Sequence, residues 1–307
     1  MSQSSLKQAD FEPIEYKASE AEKISGQSTS YWKDAWRRFR KNKLALASIV
    51  VIILLGLMAA FGTVLSGQNY FDNDLITANK PVSGGHWFGT DNLGRDLFAR
   101  TWYGARISLF IGLSAAFIDL VVGVIWGSVS GYVGGKVDEY MMRIADILTG
   151  VPYLLVVVLL TVIMPRGLWS IIIAMTITGW INMARIVRGE VYRLKTEEYV
   201  MAAKSLGAKT TRIMWKHLIP NMLGPIIVTL TLTIPNAIFT EAFLSFLGLG
   251  VPQPQASWGT MTSDALDSLR YYPYQLFFPA FFICLTMLAF NVIGDGLRDA
   301  LDPKDRS

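Results

Sequence analysis

Long apolar runs constrain this chain more than any other feature. A helix needs about 20 mostly apolar residues to cross the hydrocarbon core of a bilayer, which is about 30 Å thick. Six segments meet this requirement: residues 44–65, 107–132, 140–164, 168–187, 218–249 and 276–293. Only 17% of the 307 residues are charged, whereas soluble domains have about a quarter. We therefore predict an all-α, polytopic membrane protein with six transmembrane helices.

Basic residues are unevenly distributed between the two sets of loops. The richer set comprises Lys33, Arg37, Arg38, Arg40, Lys41, Lys43, Arg188, Arg193, Lys195, Lys204, Lys209, Arg212, Lys216, Arg298, Lys304 and Arg306. The poorer set comprises Lys80, Arg95, Arg100, Arg106, Arg166 and Arg270. Cytoplasmic loops carry the excess of Lys and Arg. Both termini and residues 196–221 are therefore predicted to be cytoplasmic.

The N-terminal region has two parts. Met1–Ser30 is polar and poor in large apolar residues, which predicts disorder. Tyr31–Lys43 alternates aromatic and basic residues, which predicts an amphipathic helix at the headgroup level. The same residues could act only as a topology anchor, and we favour that simpler interpretation.

Segment 196–221 (TEEYVMAAKSLGAKTTRIMWKHLIPN) is polar, basic and patterned as a helix, although apolar runs flank it. Tyr199, Ala202, Ala203 and Leu206 have the i, i+3, i+4, i+7 spacing of one helical face. Thr196 is a candidate N-cap, and the glycine after Leu206 marks a helix end. The pattern predicts a short helix-turn-helix available for docking in the aqueous phase.

Several residues inside the apolar runs are unusual. Gly123, Gly127 and Gly131 are spaced four residues apart, which permits another helix to pack closely against them. That helix could belong to this chain or to another subunit, and we favour packing within the chain. Three prolines are expected to break or kink their helices: Pro152, Pro225 and Pro235.

Ionisable residues in membrane spans are costly and often functional. Asp146 is expected to pair locally with Arg143. Glu241 either lines a translocation pathway or braces the loop that follows it, and we favour bracing. For Asp119 the sequence does not favour either role.

The sequence holds none of the common catalytic patterns. There is no G-x-x-x-x-G-K-[ST] phosphate loop, which argues against nucleotide hydrolysis by this chain. The two histidines, His86 and His217, are far apart, and Cys284 is the single cysteine. We therefore expect no metal site and no catalytic residues. The net charge of +4 is explained by membrane topology rather than by nucleic-acid binding.

Segment 196–221 resembles the EAA loop of bacterial ABC importer permeases. That motif has E-A-A-x-x-x-G, then nine residues, then I-x-L-P. The matching residues here are Met201, Ala202, Ala203, Gly207, His217, Ile219 and Pro220. Met201, His217 and Ile219 depart from the motif, while the spacing is kept. Residues 86–109, 241–261 and 294–304 also resemble the peptide and nickel branch of these permeases, and most closely the C-type subunit of Gram-positive oligopeptide importers.

The resemblance implies a type I ABC importer permease fold in the bacterial cell membrane. It divides the chain into a cytoplasmic tail (1–43), a first transmembrane helix (44–66), an extracytoplasmic loop (67–106), a five-helix permease core (107–295) with a coupling loop (190–217), and a second cytoplasmic tail (296–307). The implied ATPase-coupling residues are Tyr199, Met201, Ala202, Ala203, Lys204, Ser205, Gly207 and Arg212. Asp119 and Glu241 are candidates for the pathway or an outer gate.

The implied partners are a sister B-type permease, two ABC ATPase subunits, an extracytoplasmic peptide-binding lipoprotein, membrane lipid and the peptide substrate. ATP and Mg would be held by the ATPases, with no cofactor in this chain. The nearest alternative is a dipeptide or nickel permease of the same branch. Alternatives from other classes are a channel or scaffold subunit without an ATPase, and a membrane enzyme.

Overall fold

The computed structural model describes residues 31–301, and the fold is all-α over that range. The predicted disorder of Met1–Ser30 and the end of the C-terminal tail lie outside the described residues. The described helices are α1 (Tyr31–Phe39), α2 (Lys43–Ser66), α3 (Leu97–Val133), α4 (Gly135–Gly150), α5 (Tyr153–Ile163), α6 (Leu168–Leu194), α7 (Glu198–Ser205), α8 (Thr210–Ile213), α9 (Ile219–Phe246), α10 (Trp258–Asp264) and α11 (Tyr274–Leu301). A turn of π-helix, Met214–Leu218, joins α8 to α9.

Within the described range, five helical stretches are long and apolar enough to cross a membrane: α2, α3, α6, residues 210–246 and α11. A sixth crossing requires α4 and α5 together, and these two helices meet at an angle of 81°. The span predicted over residues 140–164 is therefore bent, and the break predicted at Pro152 is confirmed. The chain bends at Val151 and Pro152, where a proline N–H is missing and the residue before it is pushed out of the helical region.

The helix that contains the second predicted span begins ten residues before that span. Helix α3 starts at Leu97, where the Asp96 side chain accepts a hydrogen bond of 2.7 Å from the Ala99 N–H. The last ten residues of the predicted loop over 67–106 are therefore helical. Arg100 and Arg106 had favoured a loop because they are charged, but both belong to the helix. Arg106 donates to Ala60 O at 2.8 Å, which fastens α3 to α2.

The glycine stripe in α3 packs against α6. A Cβ at Gly123 would lie 2.6 Å from Met183 Cβ, and one at Gly127 would lie 2.9 Å from Val187 Cβ. These distances are too short for any side chain, so the glycines permit the close approach. The preferred interpretation, packing within the chain, is confirmed.

Two of the three prolines that were expected to break or kink their helices do not interrupt them. Helix α9 runs from Ile219 to Phe246 without interruption through Pro225 and Pro235. Membrane helices tolerate proline where neighbouring helices or hydroxyl groups satisfy the backbone groups that it frees.

The N-terminal helix packs on the last helix. Phe39 of α1 joins Ala45 and Ala300 in a small buried cluster. The other side of α1 is open, with Trp36 56% exposed. The amphipathic helix predicted over Tyr31–Lys43 is present, ending at Phe39, and its inner face is covered by the chain itself.

Candidate functional site

Segment 196–221 forms the predicted helix-turn-helix. Helices α7 and α8 are fixed by Val200 and Ile213, which are both buried. These two side chains belong to one apolar cluster with Val191 and Leu218. The segment therefore packs against the C-terminal end of α6 and the N-terminal end of α9.

The turn between α7 and α8 requires glycine. Gly207 has a φ of +80°, which L side chains rarely adopt. The Ala208 N–H donates to Ala203 O and the Gly207 N–H to Lys204 O, each at 3.0 Å. This pair of hydrogen bonds is a Schellman motif, which ends a helix by satisfying its last carbonyls. The predicted helix end at this glycine is confirmed.

The start of α7 differs from the prediction by one residue. The residue in the N-cap position is Glu197, whose side chain makes no capping hydrogen bond. Thr196 instead donates its hydroxyl to Arg193 O at 2.9 Å. The hydroxyl of Thr196 therefore closes the end of α6 rather than the beginning of α7.

The predicted coupling residues lie on the outward side of this segment. Met201, one of these residues, is 53% exposed, and Leu206, which belongs to the predicted helical face and not to the predicted coupling residues, is 88% exposed. The remaining predicted coupling residues are exposed, or in one case partly buried: Tyr199, Ala202, Ala203, Lys204, Ser205, Gly207 and Arg212. Exposed apolar residues beside small ones form the kind of surface that a partner protein covers. We name these residues the α7 surface.

Asp119 lies at a cavity inside the helical bundle. The cavity has a volume of about 270 Å³ and is lined by Ala115, Asp119, Tyr153, Met175, Thr178, Gly179, Asn182, Thr233, Asn236, Ala237 and Thr240. These residues come from α3, α5, α6 and α9. Asp119 is 6% exposed, and its Oδ1 has no hydrogen-bond partner among the described residues. We name this space the Asp119 cavity.

Two amides mark the mouth of the cavity. Asn182 lies near the middle of α6 and Asn236 lies within α9, and both are exposed. Polar side chains at these depths are unfavourable against lipid and normally face water or protein. This side of the bundle therefore has the character of a water-filled pathway or a subunit contact.

Glu241 lies outside that cavity and is fully buried. Its carboxylate accepts hydrogen bonds from Ser108 at 3.2 Å, Ser245 at 2.8 Å and Ser257 at 2.6 Å. Ser257 is the N-cap of α10, in the segment that follows α9. The carboxylate therefore connects the segment after α9 to the helices around it, which agrees with the bracing role that the sequence favoured for Glu241.

The third acidic residue pairs differently from the prediction. Asp146 accepts a hydrogen bond of 2.8 Å from Arg185 of α6, not from Arg143 one turn away. The cross-helix pair exists because α4 lies beside α6, which local spacing alone does not reveal.

A buried charge cluster near the start of α3 was missed by the sequence analysis. Arg95 lies 2.7 Å from Asp91, while Arg100 lies 3.6 Å from Asp91 and 3.7 Å from Asp264. Burial raises the pKa of Asp264, while the two guanidinium groups act in the opposite direction. Two arginines in a polar segment gave no signal of burial, because their acidic partner Asp264 is distant in the sequence.

The described residues offer no group of three or more acidic, His or Cys side chains that could hold a metal ion. The candidate site consists of the exposed α7 surface, the Asp119 cavity and two clusters of polar residues around Glu241 and Arg100.

Comparison with known proteins assigns the family. Residues 123–307 match the family described as the binding-protein-dependent transport system inner membrane component. The chain belongs to this family of transport permeases. Residues 30–81 of this permease also match the N-terminal TM domain of oligopeptide transport permease C. The predicted family is confirmed.

Curated relatives cover almost the whole permease. It is 64% identical to the oligopeptide transport system permease protein OppC of Bacillus subtilis (strain 168), over 96% of this chain and 97% of that protein. It is 58% identical to the dipeptide transport system permease protein DppC of the same strain, over 94% and 90%. The OppC protein of Escherichia coli (strain K12) is 44% identical, over 93% and 95%.

A solved structure shows the same fold. The permease is similar to a chain of the MetNI methionine ABC transporter in an inward-facing conformation, with a TM-score of 0.55 and 18% identity. The match covers 65% of this chain and 94% of that chain. The predicted all-α ABC importer permease fold is confirmed, and the permease is a multi-pass membrane protein.

Proposed function

We propose that this permease is the C-type subunit of an ATP-driven oligopeptide importer. A sister B-type permease would complete the pathway, two ABC ATPases would hold ATP and Mg, and an extracytoplasmic lipoprotein would deliver peptide. The α7 surface is the observation that carries the proposal: it exposes apolar side chains such as Met201 and Leu206, yet Val200 packs it against two membrane helices. The name of the 64% identical relative supports an oligopeptide as the substrate.

In this mechanism the α7 surface fits a cleft on an ATPase. Ala202 and Ala203 permit close approach, while Met201 provides apolar contact in place of the acidic residue of the motif. ATP binding stabilises the closed ATPase pair, and the differential affinity for that state shifts the permease between its inward- and outward-open conformations. Val200 and Ile213 transmit the movement to α6 and α9.

The distribution of basic residues supports a cytoplasmic position for both termini and for the α7 surface. Segment 67–96 would then face outward, where the lipoprotein docks. The location in the bacterial cell membrane follows from the same proposal.

Replacing the most exposed apolar residue of the α7 surface tests the coupling role. Leu206→Asp places a charge in the proposed interface, so we expect co-purification of the ATPases to fall at least tenfold, as for a hot-spot residue. Ile76→Asp is a matched control, because Ile76 is 89% exposed but lies in segment 67–96. Unchanged ATPase recovery with Leu206→Asp would contradict the proposal.

A dipeptide importer is the second candidate, because a relative of that name is 58% identical. Competition for uptake separates the two. An oligopeptide importer is inhibited by tetrapeptides and longer peptides at concentrations where dipeptides have little effect. The opposite order would assign the chain to the dipeptide class.

A further inference from the structure

The Asp119 cavity holds an acidic group whose charge is not balanced by the chain. Among the described residues that line the cavity none is Lys, Arg or His. Asp119 is only 6% exposed, yet its Oδ1 has no hydrogen-bond partner among these residues. A buried carboxylate without a partner is costly, and such a group is normally paired with a cation.

A second unpartnered oxygen lies in the same cavity. The Tyr153 hydroxyl has no hydrogen-bond partner among the described residues. Tyr153 is the first residue of α5, directly after the bend at Pro152, so the bend brings its ring to the cavity. The amides of Asn182 and Asn236 provide further oxygen acceptors at the mouth.

The space beside the carboxylate is kept open by a glycine. A Cβ at Gly179 would lie 2.7 Å from Asp119 Oδ1, closer than any stable contact. Even alanine at this position would therefore displace the carboxylate or cover the oxygen that lacks a partner.

We propose that the Asp119 cavity is a subsite for an ammonium group of the transported peptide, namely the α-ammonium at its N-terminus. An ammonium has three N–H donors and no acceptor. The cavity offers the Asp119 carboxylate, the Tyr153 hydroxyl and the amide oxygens as acceptors. Its volume of about 270 Å³ fits a terminal residue rather than a whole peptide. An unblocked peptide carries this group whatever its side chains are, so recognition would be independent of sequence.

This inference rests on the proposed function, because it requires the cavity to lie on the peptide pathway. The test uses the complete membrane complex in nanodiscs, with the sister permease and ATPases but without nucleotide or the binding lipoprotein. Equilibrium dialysis measures the binding of three peptides. All three peptides keep a free C-terminal carboxylate: trialanine carries only the terminal ammonium, N-acetyl-trialanine carries no ammonium, and N-acetyl-Ala-Lys-Ala carries only a side-chain ammonium.

We expect the wild-type complex to bind trialanine about tenfold more tightly than N-acetyl-trialanine, as for a hydrogen bond to a charged group. Asp119→Asn should abolish the difference and Asp119→Glu should keep part of it. Asp146→Asn is the matched control, because Asp146 is an exposed acid outside the cavity. Gly179→Ala gives a second variant that keeps the charge but closes the space, and it should also abolish the difference.

Equal binding of trialanine and its acetylated form by the wild type, or no binding of trialanine, would overturn the proposal. If the lysine peptide exceeds N-acetyl-trialanine in affinity by as much as trialanine does, the choice of the N-terminal ammonium is overturned. If the Asp119→Asn variant no longer co-purifies with the sister permease, while the Gly179→Ala variant still distinguishes trialanine from its acetylated form, the carboxylate belongs to a subunit contact instead. Peptide uptake by the wild-type importer is measured in parallel, so that failure of uptake identifies failure of the proposed function itself.

Discussion

Asp119 and Glu241 are two buried carboxylates in neighbouring membrane helices, with opposite surroundings. Both are almost inaccessible, at 6% and 0% exposure. Three serine hydroxyls donate to Glu241, whereas Asp119 Oδ1 has no partner among the described residues and lies at a cavity. Burial alone therefore does not distinguish a structural acid from a functional one. The difference lies in whether the folded chain satisfies the buried oxygen atoms.

The Glu241 region joins parts of the chain that are far apart in sequence. Ser108 belongs to α3 and also accepts a hydrogen bond of 3.1 Å from the Trp258 N–H. Trp258 is fully buried, and its indole donates to Thr101 O at 3.0 Å. The carboxylate thus fixes α10 against α3 and α9. Among the described residues, Asp119 has no such network, and a cavity lies beside its carboxylate instead.

The largest effect is expected from Glu241→Leu. The substitution leaves the Ser108, Ser245 and Ser257 hydroxyls buried without their acceptor. It should lower the free energy of unfolding by about 3 kcal/mol, as for several unsatisfied buried groups. Thermal unfolding of the purified complex measures the change. Glu241→Gln retains one acceptor oxygen and should cost clearly less, so equal losses would contradict this explanation.

A smaller loss is expected from Ser108→Ala, which removes one donor to Glu241 and the acceptor for the Trp258 N–H. The free energy of unfolding should fall by about 1.5 kcal/mol. Ser114→Ala is the matched control on the same helix, six residues further along, and should have little effect. Equal losses for the two serine variants would show that the hydrogen bonds of Ser108 around Glu241 do not stabilise the fold.

The smallest effect on stability, and in the opposite direction, is expected from Asp119→Leu. Replacing a buried carboxylate that lacks a partner by an apolar group should leave the free energy of unfolding unchanged or raise it by about 1 kcal/mol. The same variant should lose peptide uptake if the cavity binds substrate. A large loss of stability would show instead that Asp119 has a structural role like that of Glu241.

The membrane spans were predictable because hydropathy is a local property of the sequence. The positions of α2, α6 and α11 follow directly from their apolar runs. The start of α3 was not predictable, because Arg100 reads as a loop residue until Asp91 and Asp264 are brought beside it. The bend between α4 and α5 was foreseen at Pro152, but its angle of 81° depends on how the two helices pack.

The α7 surface shows the same division on a smaller scale. The spacing of Tyr199, Ala202, Ala203 and Leu206 predicted one helical face, and Gly207 predicted where the helix ends. That this face points away from the chain was decided by Val200, which lies on the other side and is buried. A periodic pattern identifies a face but does not reveal whether it meets the core or a partner.

The sequence by itself determined that the chain is a helical membrane protein with a docking segment, because apolar length, helix periodicity and glycine conformation act over a few neighbouring residues. Only the tertiary structure decided that Glu241 is a satisfied brace and that Asp119 faces a cavity. That distinction depends on Ser108, Ser257, Tyr153 and Gly179, which are brought to the two carboxylates by helix packing over separations that no local pattern records.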